Sequence, residues 1–286
     1  MTPPAVREEA RRRDARPDER RPGAAPVRPV ASLREDLALA FRLAERFGFH
    51  EGICNHFSVR VGDGPGRDAG AGPDGGAERY LINPYGLHWS VMTADALLLI
   101  DGDGRVLEGH GEVEDTARFI HVAGHRANPR HTVLLHTHMP WATVLTMLDG
   151  DAGTLRMAHQ TACRFHGRID HEPEFGGLAH DDAEGERLAR RAAARADVDV
   201  VMLANHGVVV GGSSVATAFD DLYYLERACR QQVLAMQTGA PLRTLPDAVV
   251  AETARQFVRD LDANAERHFR ALGDVLVHSP DRAFTF

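Results

Sequence analysis

His136 and His138 stand two positions apart at the end of a strongly apolar run, TVLLHTH. Side chains of an extended strand alternate faces, so residues i and i+2 point the same way and two imidazoles can converge on one ion. His206 follows a second apolar run, VVMLA, and precedes Gly207. Three imidazoles at strand ends leave positions over for water or a reactant, which is the catalytic rather than the structural arrangement of a metal centre. The bland reading is polar residues where a strand leaves the core and a satisfied turn histidine. Spacing alone leaves both open.

His121 and His125 are four apart and therefore share one helical face. They suit a further ligand or a proton carrier, because imidazole titrates near neutral pH, or else a polar helix stripe. Glu112 and Glu114 precede that helix as candidate acids or bases, whereas Glu108 belongs to a hairpin. Tyr85, His88 and Trp89 follow a Pro-containing turn, where loop side chains can line a pocket.

Positioning these groups falls to elements that can be read in order. Residues 1–30 are rich in Arg, Pro and Ala with no apolar periodicity, and are expected to be a disordered tail ahead of one domain over 31–286. Ser32, with Glu35 three residues on, predicts a capped helix that Gly48 closes. HFSVRV (His56 to Val61) and YLIN (Tyr80 to Asn83) read as strands joined by a Gly/Pro/Asp-rich connector. LLLID, the turn Gly102-Asp103-Gly104 and RVLEG make a hairpin. A helix follows from about Asp115 to Ala127, then the strand Thr132 to His138, and a helix near Asp181 to Ala196. The NHG of Val198 to Val210 breaks one strand from the next. Ser213 or Ser214 starts a long helix that Gly239 stops, and a last helix spans about Pro246 to Leu272. Irregular alternation of strands and helices, with two hairpins, favours one α/β domain with a mixed sheet between helical layers.

The chain has 286 residues, 33 basic against 41 acidic, for a net charge of -8. None of the basic residues is lysine. That excludes a lysine Schiff base, an internal aldimine of pyridoxal phosphate and the lysine of a phosphate-binding P-loop. Carbon–carbon chemistry here therefore requires a metal or another cofactor. The acidic balance argues against a nucleic-acid partner, which needs a basic face. Three well-separated cysteines point to a reducing compartment. No run of 18 apolar residues occurs and no apolar segment follows the N-terminal arginines, so a soluble, cytoplasmic protein with no membrane partner is expected.

Over about Leu33 to Gln237 the chain resembles the class II aldolase/adducin family. The stretches GICNHFSVRV, LINPYGLHWSVMTADALLLIDGDGRVLEG, TARFIHVAGHRANPRHTVLLHTHMPWATVL, HGRIDHEPEFGGLAHDDAEGERLA and LANHGVVVGGSSVATAFDDLYYLERACRQQ carry the likeness. The NHFS and INPYG forms are similar to the adducin-like branch. The resemblance implies a three-layer α/β/α fold with a central mixed, largely antiparallel sheet, a homotetramer with active sites at subunit contacts, and a divalent metal (Zn, Mn or Fe) on His136, His138 and His206. It also implies departures from the family's sugar-phosphate aldolases. Their acid/base glutamate falls at Ala117 here. Their phosphate-binding Gly-Asn and Ser-Gly fall at Asn55-His56 and Tyr85-Gly86, so these four positions are expected to line a pocket for a non-phosphorylated small molecule.

A Lewis-acidic ion on a substrate oxygen stabilises the enolate left when a neighbouring C–C bond breaks, and decarboxylation and retro-aldol cleavage share that intermediate. Decarboxylation needs only later reprotonation, a task within reach of His121, His125, Glu114 or water. The first expectation is thus a metal-dependent lyase for a small carbonyl, hydroxy-acid or hydroxyaromatic acid, with Arg60 or Arg164 forking a carboxylate. The second is a non-haem ferrous oxygenase performing oxidative decarboxylation on the same three histidines. The third is a non-catalytic, adducin-like scaffold.

Overall fold

The computed structural model describes residues 28–62, 78–177, 187 and 197–278. The expected tail up to residue 27 and most of both the 62–79 connector and the helix near 181–196 lie outside the described residues.

Helix α1 (Val30–Arg46) buries Leu37, Ala40, Phe41, Leu43 and Ala44, which recur at helical spacing. The expected start differs. Pro29, with φ -56° and ψ 141°, makes the break between extended chain and helix, no side chain caps the end, and Ser32 falls inside the first turn. Gly48 closes the helix as read, with φ 69° and its amide on Glu45 O.

Eight strands among the described residues form one sheet: β1 (His56–Val61), β2 (Arg79–Ile82), β3 (Leu98–Asp101), β4 (Val106–Glu108), β5 (Val133–Thr137), β6 (Ile169–Glu172), β7 (Val200–Leu203) and β8 (Gly207–Gly212). Their order is β4-β3-β2-β1-β5-β8-β7-β6, and every pairing is antiparallel except β6 with β7. The mixed, largely antiparallel sheet expected from the family likeness is the one observed.

Strand alternation sorts the side chains into two layers. Phe57, Val59, Leu81, Leu99, Val133 and Leu135 join Phe41 of α1 and Phe219 of the long helix α4 (Val215–Met236) in the main core. Helices α3 (Pro140–Thr146) and α6 (Leu261–His278) pack against α4 in that same layer. On the opposite face Tyr80, Ile82, Leu98 and Ile100 meet Ala117 and Val122 of α2 (Asp115–Ala127). Helix α4 starts where its serines predict, with Ser214 and Thr217 forming a reciprocal cap. The expected single last helix is two, α5 (Asp247–Arg259) and α6, broken at Asp260. The break lets α5 lie by the 3-10 turn Gln160–Phe165 while α6 buries Ala265, Phe269 and Leu272 beside α4. No helix among the described residues is long and apolar enough to cross a membrane.

Candidate metal centre

His136 lies on β5 opposite His56 of β1 and Val209 of β8, on the face that α2 covers. His138 follows just beyond the strand, where Met139 leads into α3. The first amides of α3 are held from across the core. Trp141 N and Ala142 N each donate to the buried Glu226 carboxylate at 2.9 Å, fixing the chain directly after His138. His206 sits in the turn joining β7 to β8, beside Asn205, whose φ of 55° makes the tight reversal. Gly207 must be glycine, because a Cβ there would lie 2.5 Å from Thr137 O and 2.9 Å from His138 Cδ2.

These elements bring the three imidazoles together. Ring centroids are 5.1 Å apart for His136 and His138, 4.9 Å for His136 and His206, and 4.8 Å for His138 and His206. One nitrogen from each lies within 4.8 Å of the other two. Hydrogen bonds at the far nitrogens decide which lone pairs remain. His136 Nδ1 donates to Val208 O at 3.0 Å, leaving Nε2 bare. His138 Nδ1 donates to Glu51 Oε2 at 2.6 Å, and its Nε2 is buried without a hydrogen-bond partner. Orienting contacts of this kind on the outer nitrogen are characteristic of metal-ligating histidines. Burial, followed by the neighbouring His56, His206 and His138, holds the His136 pKa well below its ordinary value, so the ring stays neutral as a ligand must. The donor set fits a divalent cation of the imidazole-binding kind.

Several predicted residues gather around this cluster. The His56 ring is 4.8 Å from that of His136, and its Nε2 is 3.8 Å from Glu114 Oε2. Glu114 is the N-cap of α2 and accepts from Ala117 N at 2.9 Å. Its carboxylate thus lies one turn ahead of the position where sugar-phosphate aldolases of the likeness carry their glutamate. Asn55 is buried, takes the Glu51 amide on Oδ1 at 2.7 Å and keeps a buried Nδ2 without a partner.

Others stand back from it. His121 and His125 are fully buried behind His56, in a hydrogen-bonded row with Ser58. Tyr85 is half exposed on a turn where Gly86 takes φ 86°, and its amide donates to Glu112 O at 2.7 Å. Neither arginine expected at a carboxylate serves there. Arg60 donates to the His125 and Pro129 carbonyls, and Arg164 is paired with Asp220 and Asp221, so both guanidinium groups are spent inside the fold. Sequence reading missed Glu51, Ser58 and Glu226. Glu51 and Glu226 meet their partners from more than 80 residues away, and no local spacing marks any of the three.

An α/β protein with an imidazole cluster at the middle of its sheet is a recognisable class. This chain belongs to the class II aldolase/adducin family: the model described as Class II Aldolase and Adducin N-terminal domain matches residues 35–233. A Pseudomonas aeruginosa protein, named provisionally as an aldolase class 2 protein, is 29% identical over 85% of this chain and 85% of its own. The Streptomyces niveus protein named decarboxylase NovR is 30% identical over 79% of this chain and 78% of that protein. A solved aldolase II superfamily protein from Pseudomonas syringae superposes with a TM-score of 0.73 at 31% identity, covering 89% of this chain and 95% of the other.

Proposed function

We propose that this protein is a metal-dependent lyase that breaks a C–C bond in a small, non-phosphorylated carbonyl compound, hydroxy acid or hydroxyaromatic acid, with decarboxylation ahead of retro-aldol cleavage. The observation that carries the reading is the aimed cluster: His136 and His138 each have Nδ1 tied to a protein acceptor, leaving both Nε2 atoms for an ion shared with His206. A divalent metal there supplies Lewis acidity toward a carbonyl or hydroxyl oxygen of the reactant. Loss of carbon dioxide leaves the bonding electron pair on the substrate carbon, and one proton completes the reaction. In this reading Glu114 holds that proton, a role supported by its partly exposed carboxylate 3.8 Å from His56 Nε2. His121 and His125 act through His56 rather than on the reactant. A side chain of alanine at 117, buried under the sheet, gives an aldolase no acid/base there, and a relative named as a decarboxylase supports the same preference.

The test begins with metal analysis of protein purified without a chelating tag. His136→Ala and His206→Ala should each lose the bound metal, and with it carbon dioxide release from a panel of hydroxy and hydroxyaromatic acids. Metal content unchanged in both variants rejects the ligand assignment. Dioxygen uptake matching product formation replaces the lyase with the ferrous oxygenase, and a wild-type protein that never holds metal favours the adducin-like scaffold.

A further inference from the structure

Behind the imidazole cluster runs a row of buried side chains whose hydrogen-bond directions are fixed from one end. His125 Nδ1 lies 2.9 Å from His131 O. A carbonyl only accepts, so Nδ1 carries the hydrogen, and in a neutral ring Nε2 is then a bare acceptor. Ser58 Oγ, 2.7 Å from that nitrogen, must donate its single hydrogen to it. Having done so, Ser58 can only accept from His121 Nδ1, 2.5 Å away. His121 Nε2 is bare in turn and takes the hydrogen of His56 Nδ1 at 2.7 Å. The last ring is left with a bare Nε2, at the end of the row that lies beside His136 and Glu114.

We propose that Ser58, with His121 and His125, is a positioning residue that locks His56 in the tautomer whose Nε2 is an obligatory hydrogen-bond acceptor beside the three-histidine cluster. The row is buried. His56, Ser58, His121 and His125 are 3%, 0%, 1% and 0% exposed, so bulk solvent does not reach them. Burial lowers the pKa of His121 to about 3 and that of His125 well below its ordinary value, which keeps both rings neutral as the directional logic requires. Two contacts hold the anchor: Tyr80 stacks on His125 with centroids 5.0 Å apart, and Arg60 donates to the His125 carbonyl. While the Glu114 carboxylate is ionised, His56 Nε2 and Glu114 Oε2 are two acceptors 3.8 Å apart, so the group the pair receives in that state is a donor, the hydrogen of a hydroxyl or of water.

The inference takes from the lyase reading only that the cluster is where a reactant arrives, and the tautomer is read on the resting protein, so a failed lyase assay leaves it standing. Nitrogen-15 NMR of histidine-labelled full-length protein, as purified and again loaded with zinc, separates protonated from bare ring nitrogens, with signals assigned by single His→Gln variants. The expected pattern is protonated Nδ1 and bare Nε2 on His56, His121 and His125 alike. Ser58→Ala should abolish the single pattern at His121 and His56, and Ser58→Thr, which keeps the hydroxyl, should retain it. A wild-type His56 protonated at Nε2, or a folded Ser58→Ala protein with unchanged rings, overturns the proposal. If Ser58→Ala does not fold, the wild-type and Ser58→Thr spectra still decide it.

Discussion

At the scale of single residues, the cluster depends on side chains that never touch the ion's position. Glu51 is exposed, yet its carboxylate sets which nitrogen of His138 is bare. Partners of this kind are worth roughly 10–100-fold in metal affinity. Glu51→Gln keeps an acceptor oxygen but loses the charge, and should weaken zinc binding about 10-fold, read by competition with a chromophoric chelator; unaltered affinity would count against Glu51 as an orienting group. Much of this scale was legible beforehand. Strand periodicity and a strand-ending NHG made the HxH pair and His206 candidates, and the family likeness chose the metal reading over the bland one. The row from His56 to His125 was legible only in part: the four-residue spacing of His121 and His125 placed both on one face, but Ser58 lies 63 residues from one and 67 from the other and shows no signal until β1 meets α2.

At the scale of elements, the β7–β8 turn is the narrowest constraint. Gly207 approaches Thr137 O and His138 so closely that a methyl group has no room. Gly207→Ala should therefore push β8 away from the end of β5, costing about 1–3 kcal/mol of stability in denaturant unfolding and reducing bound metal in the fraction that folds. A variant as stable and as metal-rich as the parent would show that the turn yields more easily than its contacts suggest. Strands here were readable because β1 alternates and β5, β7 and β8 are apolar and bounded by turn residues. Element ends were less so. A serine three residues ahead of a glutamate predicted a cap, but Pro29 set the helix start first. The continuous helical pattern after Pro246 concealed the break at Asp260, which tertiary contacts at α4 and at the 160–165 turn impose.

For the whole molecule, an ion network ties the sheet's second half to the helical layer. Asp199 takes Arg168, Arg130 and His131, Arg168 reaches on to Asp221, and Arg164 joins Asp221 to Asp220, which also holds His268 of α6. Composition foretold many arginines but not their partners, which lie mostly 30 to 70 positions away. Burial alone would raise the Asp199 pKa, but His131, Arg168 and Arg130 outweigh it and hold the group at about 2 against an ordinary 3.8. A depressed carboxyl pKa stabilises the fold above the unfolded value and loses that contribution as pH falls through the folded one. Wild type should thus exceed Asp199→Asn in stability by about 2 kcal/mol near neutrality, with the gap closing between pH 4 and pH 2 in thermal melts. A gap constant over that range would assign the effect to packing instead. The sheet order adds a consequence for endurance. Strands β5 and β8 are fifth and sixth of the eight described, and fraying begins at the margins, where β4 and β6 have a neighbour on one side only among the described strands. The three rings travel with β5 and β8, each paired on both sides, so they stay gathered through any opening that begins at a margin and spares these two strands.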